Sequence, residues 1–391
     1  MTRLITILLC MASFSLAWAQ DKTTWQQFKD VYIIDNGRVV DGSDARRITT
    51  SEGQSYALFF ALIENDRKTF DEVYEWTRNH LAEGDLTARL PAWLWGTSEN
   101  RQTILDSNSA SDSDLWIAYT LIEAGRLWQS DYYQNVGHLL ALRILAEETI
   151  SLTPGHRQLV PGKQGFISNS VVKLNPSYVP LPLLAKFVHS SRDKRWHELW
   201  SGSMQLLLQT QHKGLSPDWV LYDGSQYYYD NQTTSEGSYN AIRTYLWAGM
   251  MPVGMDNQTV ILESLKPLAK QINTDKQVPL MTFANEGLTE GIAPIGFKAA
   301  MLPFLAANGD DDLAATFYSD TLAQLITDRD DEYYNNVLAM FGTAWYLEKF
   351  RFSPKGELML PWAENEPSRY QEEASTQTIT NGQAKSTSQA K

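Results

Sequence analysis

Residues 110–118 read Ala110-Ser111-Asp112-Ser113-Asp114-Leu115-Trp116-Ile117-Ala118, and here the chain changes character. Polar residues give way, with no turn residue between, to an apolar run that continues at three- and four-residue spacing to Leu127. That is how a helix begins when one end faces polar surroundings and the body is buried. Asp106-Ser107-Asn108-Ser109 lies just upstream, so three aspartates and four serines fall within nine residues. Ser109-x-x-Asp112 and Ser111-x-x-Asp114 each fit a capping box. One helix start does not need so many acids, however. Crowded carboxylates repel and desolvate one another, which raises their pKa values, and contact with a substrate is the second reading.

The same helical spacing recurs on both sides. It predicts helices over 52–64, 67–82, 111–127, 130–149, 177–190, 193–211, 237–249, 257–272, 294–306, 310–327 and 332–350, with another near 23–32. No run reads as a sheet. The helices group into hairpins with short turns. Longer Gly-, Pro- and aromatic-rich loops separate the pairs, over 83–110, 150–176, 212–236 and 273–293. An all-α toroid of six inner and six outer helices fits this pattern, with an irregular α domain as the alternative.

The first nineteen residues read as a signal peptide, with Arg3, an apolar stretch from Leu4 to Phe14, and the small-x-small cleavage signal Ala17-Trp18-Ala19. Its apolar core is too short for a bilayer span. Cleavage would remove Cys10, the single cysteine, which suits an oxidising periplasm or exterior. Residues 20–364 are expected to form one domain, large enough for a sizeable core and probing no membrane after signal removal. From 365 to 391 the chain is polar with one aromatic, Tyr370, and is expected to be a disordered tail. The net charge is −13; removal of the signal takes one arginine and no acid, leaving −14. No basic patch is present, which argues against nucleic acid and anionic membranes as partners but not against neutral polymers. Thirteen tryptophans and eighteen tyrosines supply either a large aromatic core or stacking platforms for sugar rings.

Two further segments carry chemistry. Thr49-Thr50-Ser51-Glu52-Gly53-Gln54-Ser55-Tyr56 opens a helix with Glu52 in its first turn, and Thr49-x-x-Glu52 also fits a capping box. Tyr227-Tyr228-Tyr229-Asp230 and Ser235-Glu236-Gly237-Ser238-Tyr239-Asn240-Ala241-Ile242-Arg243 gather aromatics, acids, an amide and a guanidinium at a loop-to-helix junction. Paired carboxylates, one protonated and one ionised, are the minimum equipment for glycoside hydrolysis. The six histidines lie at 80, 138, 156, 189, 197 and 212 without metal-ligand spacing, so no metal and no cofactor are expected. There is no G-x-S-x-G elbow, phosphate loop or G-x-G-x-x-G.

Residues 110–118, continuing to Ala124 and Trp128, resemble the signature of glycoside hydrolase family 8. Gly37-Arg38-Val39-Val40, Asp44-Ala45-Arg46, Leu90-Pro91-Ala92-Trp93-Leu94-Trp95-Gly96, Asn175-Pro176-Ser177-Tyr178, Ser216-Pro217-Asp218-Trp219 and Phe352-Ser353-Pro354-Lys355-Gly356-Glu357-Leu358 extend the likeness along nearly the whole chain. It is strongest to the endoglucanases associated with bacterial cellulose synthesis. Ser113 stands where Ala or Gly is usual, and Thr120 where Ser or Ala is. The resemblance implies an (α/α)6 barrel with a cleft across one end, and hydrolysis of internal β-1,4 bonds of glucan with inversion. It implies Glu52 as general acid and Asp112 as the acid that holds the distorted sugar. It places Tyr178 near the catalytic water and Arg243 beside the base. Trp93, Trp95, Tyr239 and Tyr333 would line the sugar subsites. The implied partner is a β-glucan, with a functional link to the cellulose synthase machinery, and the implied state is an exported monomer.

One position departs from the pattern. In the relatives it most resembles, the general base is an Asp in a Ser-Tyr-Asp-Ala-Ile-Arg segment, and here that segment has Asn240. An amide accepts no proton at neutral pH, although it can orient a water. A branch of the family carries Asn here and takes its base from a loop Glu. Glu236 is then the candidate, with Asp230 next. Three functions follow as expectations: an endo-β-1,4-glucanase; a glucan-binding protein of the same fold with weak or no hydrolysis; or the same chemistry on chitosan, xylan or mixed-linkage glucan.

Overall fold

A computed structural model describes residues 24–364; the expected signal peptide (1–19) and the polar tail (365–391) lie outside the described residues. The helices are α1 (Thr24–Tyr32), α2 (Ser51–Ile63), α3 (Arg67–Leu81), α4 (Ser111–Leu127), α5 (Asp131–Glu147), α6 (Leu181–Ser190), α7 (Arg195–Thr210), α8 (Ala241–Gly249), α9 (Gln258–Asp275), α10 (Ile295–Ala300), α11 (Leu302–Ala307), α12 (Asp311–Gln324), α13 (Tyr333–Tyr346) and α14 (Pro361–Glu364).

Their burial sorts them into two layers. Every residue of α2 except Glu52 is buried, and α4 is buried without a break from Ser111 to Gly125. Helices that are apolar all round belong inside. The next helix in sequence buries only a stripe, as in α3 with Thr69, Phe70, Val73, Tyr74, Trp76, Thr77 and Leu81. The inner ring is thus α2, α4, α6, α8, the α10–α11 pair and α13. The outer ring is α3, α5, α7, α9, α12 and α1, the last packed on α13. Phe341 of α13 closes the inner ring, with its ring centroid 4.9 Å from Tyr56, 5.7 Å from Phe59 and 4.7 Å from Phe60, all on α2. The hairpins are tightly joined. A Cβ on Gly137 of α5 would lie 2.8 Å from the Ala118 carbonyl of α4, so only glycine permits this approach.

Inner and outer helices alternate along the chain, so all inner N-termini lie at one rim. The long segments that precede them lie there too, and they correct the expectation of plain loops. Among the described residues they form small antiparallel sheets. One joins 49–50, 94–98 and 101–106; another 167–168, 171–174, 220–222 and 227–228; a third 236–237, 281–283 and 288–290. These strands run two to six residues, too short to show a period of two in the sequence.

Helix boundaries moved where proline or a strand intervened. Pro176–Tyr178 is a 3-10 turn and α6 starts only at Leu181, after Pro180. Residues 236–237 pair with 282–283, so α8 begins at Ala241 rather than 237. The expected helix 294–306 is two short helices that meet at Met301, before Pro303. Among the described residues no helix is long and apolar enough to cross a membrane.

Candidate active site

The rim where the inner helices begin carries the positive ends of their dipoles, which favours carboxylates there. Glu52 sits in the first turn of α2 and Asp112 in that of α4. Neither acts as a cap. Thr50 is the N-cap of α2 and accepts from the Gly53 N–H at 3.0 Å. Thr49 Oγ1 instead accepts from Arg38 Nε at 2.9 Å. The N-cap of α4 is Ala110, which offers no side-chain bond. Ser51 Oγ and Ser113 Oγ are 2.6 Å apart, and Ser113 Oγ also donates to the Ala110 carbonyl at 2.8 Å. This bridge ties the starts of α2 and α4 together, and it requires the hydroxyl at the position where the family usually has Ala or Gly.

The carboxylates turn to one guanidinium. Arg243, in the first turn of α8 and almost fully buried, donates from Nη1 to Glu52 Oε2, to Asp112 Oδ2 at 3.1 Å and to Tyr56 Oη at 3.3 Å. From Nη2 it donates to Asn240 Oδ1 at 3.1 Å and Ser177 Oγ at 3.4 Å. It lies over the Tyr178 ring, 5.6 Å from the centroid. Asn240 Oδ1 accepts a second bond from Asn175 Nδ2 at 3.1 Å. The amide oxygen is therefore engaged by two donors from within the protein.

Burial pushes the Asp112 carboxyl up to about 7, against the pull of Arg243; the neighbouring Glu52 charge pushes the same way. Asp112 thus titrates near neutrality beside Glu52, with Arg243 in contact with both. Burial likewise holds the Tyr56, Tyr178 and Tyr334 hydroxyls well above the usual phenol range.

The structure separates the remaining candidates. Tyr239 is half exposed, with its ring 5.2 Å from Phe297 and 5.8 Å from Tyr334. Trp93 is partly exposed and forms no ring pair among the described residues; its N–H donates to the Asn108 carbonyl and its carbonyl accepts from Ser51 N–H, so it stands between the approaches to α4 and α2. Trp95 lies elsewhere, edge-on to the stacked Trp76 and His80 of α3, in a side pocket with Glu75, Asn79 and Gln102.

Tyr333 is a correction. Its ring is buried against Phe28 and Tyr32 and lines no open surface. Its hydroxyl lies beside Gly53 and feels the Glu52 charge from the buried side, while Tyr334, one helical step round, flanks the cluster from the more exposed side. The Tyr334 hydroxyl donates to the Tyr239 carbonyl and senses the charges of Arg243, Glu52, Asp218 and Asp112.

Glu236 is exposed on its short strand and makes no hydrogen bond or ion pair with Glu52, Asp112 or Arg243. Asp230 is engaged locally, with Oδ1 accepting the N–H groups of Gln232 and Thr233. Sequence reasoning passed over Asp218, although its Ser-Pro-Asp-Trp segment was visible. Asp218 Oδ1 accepts from the N–H groups of Ser238, Asn240 and Ala241 at 2.8, 3.1 and 2.7 Å, and so anchors the turn that carries Asn240. Its neighbour Trp219 forms an aromatic row with Phe166 and Tyr178. No group of three metal-ligating side chains occurs among the described residues.

A double ring of helices with paired carboxyls at the rim defines an inverting or retaining glycosidase of the barrel type. The chain belongs to the glycosyl hydrolases family 8, whose model matches residues 1–348. It is 44% identical to an endoglucanase of Escherichia coli O157:H7, over 92% of this chain and 96% of that one, and 37% identical to an endoglucanase of Xanthomonas axonopodis pv. citri, over 86% and 88%. Among solved structures it resembles the endo-1,4-D-glucanase of Vibrio fischeri ES114, with a TM-score of 0.83 and 50% identity, covering 87% of this chain and 99% of that one. The architecture is the (α/α)6 barrel of these relatives.

Proposed function

We propose that this protein is an endo-acting β-1,4-glucanase that cleaves internal bonds of a cellulose-type glucan by single displacement. The observation that carries the reading is the convergence of Glu52 and Asp112 on the buried guanidinium of Arg243. Glu52, the more exposed of the two, with its side chain 24% accessible against 4% for Asp112, donates the proton to the leaving glycosidic oxygen. Asp112 stays beneath it and holds the sugar at the cleavage point. Trp93 and Tyr239 offer ring faces to neighbouring sugars. Asn240, its oxygen fixed by Arg243 and Asn175, directs its amide nitrogen away from both and orients the attacking water, with Tyr178 beside it.

Glu236 is the proposed base. Its solvent-facing carboxylate has no cation bound among the described residues, and only four positions separate it from Asn240. Asp218 is the weaker choice, because three backbone amides already satisfy one of its oxygens. Export, and action beside cellulose synthesis as a monomer, complete the reading; the Arg3-to-Ala19 pattern and the family likeness support them.

Release of reducing ends from carboxymethyl cellulose, abolished in Glu52→Gln, tests the assignment. Tight glucan binding without release by the unaltered chain would overturn it. That outcome favours the second reading, a glucan-binding protein, which the doubly engaged oxygen of Asn240 makes specific. A parallel panel of chitosan, xylan and mixed-linkage glucan decides the substrate.

A further inference from the structure

Below the Glu52–Asp112 pair lies a second pair of acids. Asp114, in the first turn of α4, and Glu148, the residue that ends α5, have no solvent exposure at all. The two carboxyls lie close enough for each to bear on the other's charge. Neither oxygen of Asp114 nor Oε2 of Glu148 has a hydrogen-bond partner among the described residues. Two ionised carboxylates so placed repel each other with no donor between them, and a single proton relieves that repulsion. Two further features oppose a pair of full charges. Burial without compensating donors penalises each one, and Glu148 stands at the negative end of the α5 dipole.

The other groups facing the pair are few. Ser109 Oγ donates to Glu148 Oε1 at 2.6 Å and itself accepts the Lys163 N–H at 3.1 Å. The Lys163 ammonium acts on Asp114 from the segment after 156–159, Asp112 lies beside both acids on α4, and Glu147 neighbours Glu148 on α5. Lys163 supplies one positive charge, which balances a singly charged pair and not a doubly charged one beside Asp112.

We propose that Asp114 and Glu148 form a carboxyl pair that shares one proton and clamps the first turn of α4 to the end of α5, which makes Glu148 a positioning residue for Asp112. The shared proton joins the loop at Ser109, the turn at Asp114 and the outer helix through one buried junction. Asp112 lies between Ser109 and Asp114 in sequence, so its carboxyl is fixed from both sides. The effect on hydrolysis rests on the function proposed above; the proton itself does not.

Infrared spectroscopy of the full chain at pH 7 reads the proton directly. Glu148→Gln keeps the shape and donates an amide N–H to Asp114, which leaves Asp114 ionised. We expect the carboxylic C=O stretching intensity of one group to disappear in Glu148→Gln, and again in Asp114→Asn. Unchanged intensity in both variants overturns the shared proton. On carboxymethyl cellulose we expect kcat of Glu148→Gln to fall roughly ten- to a hundredfold with KM within about threefold, the cost of a misplaced Asp112. Loss of the band with an unchanged kcat overturns the positioning role. Absence of hydrolysis by the unaltered chain would count against the hydrolase reading alone, since the infrared measurement needs no turnover.

Discussion

Asn240→Asp isolates the position where this site departs from the general base of the relatives it most resembles. The side chains are nearly isosteric, so the aspartate keeps both bonds to Oδ1, from Arg243 and Asn175, each 3.1 Å long in the native site. It replaces the amide nitrogen with an oxygen that accepts a proton from the water Asn240 now orients. A positioned general base contributes about a hundred- to ten-thousandfold in rate, or roughly 3–5 kcal/mol of barrier. Two effects reduce that gain. If Glu236 is the native base, as proposed, it already supplies part of that gain from a more exposed place. Arg243 next to the new carboxylate lowers its pKa, by about 1–3 units for such a contact, and weakens it as a base. The net expectation is a tenfold to hundredfold rise in kcat with KM little changed, because the substrate meets the same shape. The assay is initial-rate release of reducing ends from carboxymethyl cellulose at pH 6. The double variant Asn240→Asp/Glu236→Gln should then match Asn240→Asp, whereas Glu236→Gln alone should lose about a hundredfold or more. A kcat for Asn240→Asp within twofold of the native value, or below it, refutes the placement of the water at Asn240.

The remaining expectations concern protonation and packing. The Asp112 carboxyl is pushed up to about 7, so it loses its proton as pH rises through 7, and kcat/KM should fall beyond that point; a flat profile from pH 6 to 9 would contradict it. Because this folded-state value lies above the ordinary aspartate value, the contribution of Asp112 to stability is complete below about pH 4 and is lost as pH rises through 7, so Tm should decline across that interval and do so less in Asp112→Asn. Ser113→Ala breaks the bridge to Ser51 and should cost about 1 kcal/mol by urea denaturation, with a measurable loss of kcat from the slackened α2–α4 junction. Glu123, fully buried, pairs with Lys186 at 2.7 Å and accepts the Leu358 N–H at 2.8 Å; Glu123→Ala should cost about 3–5 kcal/mol, against about 1 kcal/mol or less for Glu348→Ala at an exposed pair.

The helices were legible because their period is carried by many residues at once. α2 and α4 announce themselves by unbroken burial, and α3 by its stripe. The rim sheets were not legible, since 236–237 pairs with 282–283 across forty-five residues and neither strand is long enough to alternate. At the site, the motif residues Glu52, Asp112, Tyr178 and Arg243 come together in space. Tyr333 failed because adjacent helical positions differ by about 100° and the motif does not state the phase; Phe28 and Tyr32 take that ring, leaving Tyr334 for the cleft side. Glu148 left no trace, because a partner thirty-four residues from Asp114 is set by the α4–α5 hairpin and not by spacing.

The charge at this rim explains why an asparagine is tolerated. Arg243 is a single buried cation that already serves Glu52 and Asp112. An aspartate at 240 would make a third carboxylate on the same guanidinium and would compete with Glu52 and Asp112 for its charge. With Asn240 the guanidinium keeps its contacts to Glu52 and Asp112 and accepts no third carboxylate. A carboxylate at 236, outside this buried group and in solvent, can accept a proton without altering that balance. On the proposed assignment, a base on the loop trades reach for a less crowded acid site, and the rise in kcat with Asn240→Asp should come with a further upward shift of the alkaline limit set by Asp112.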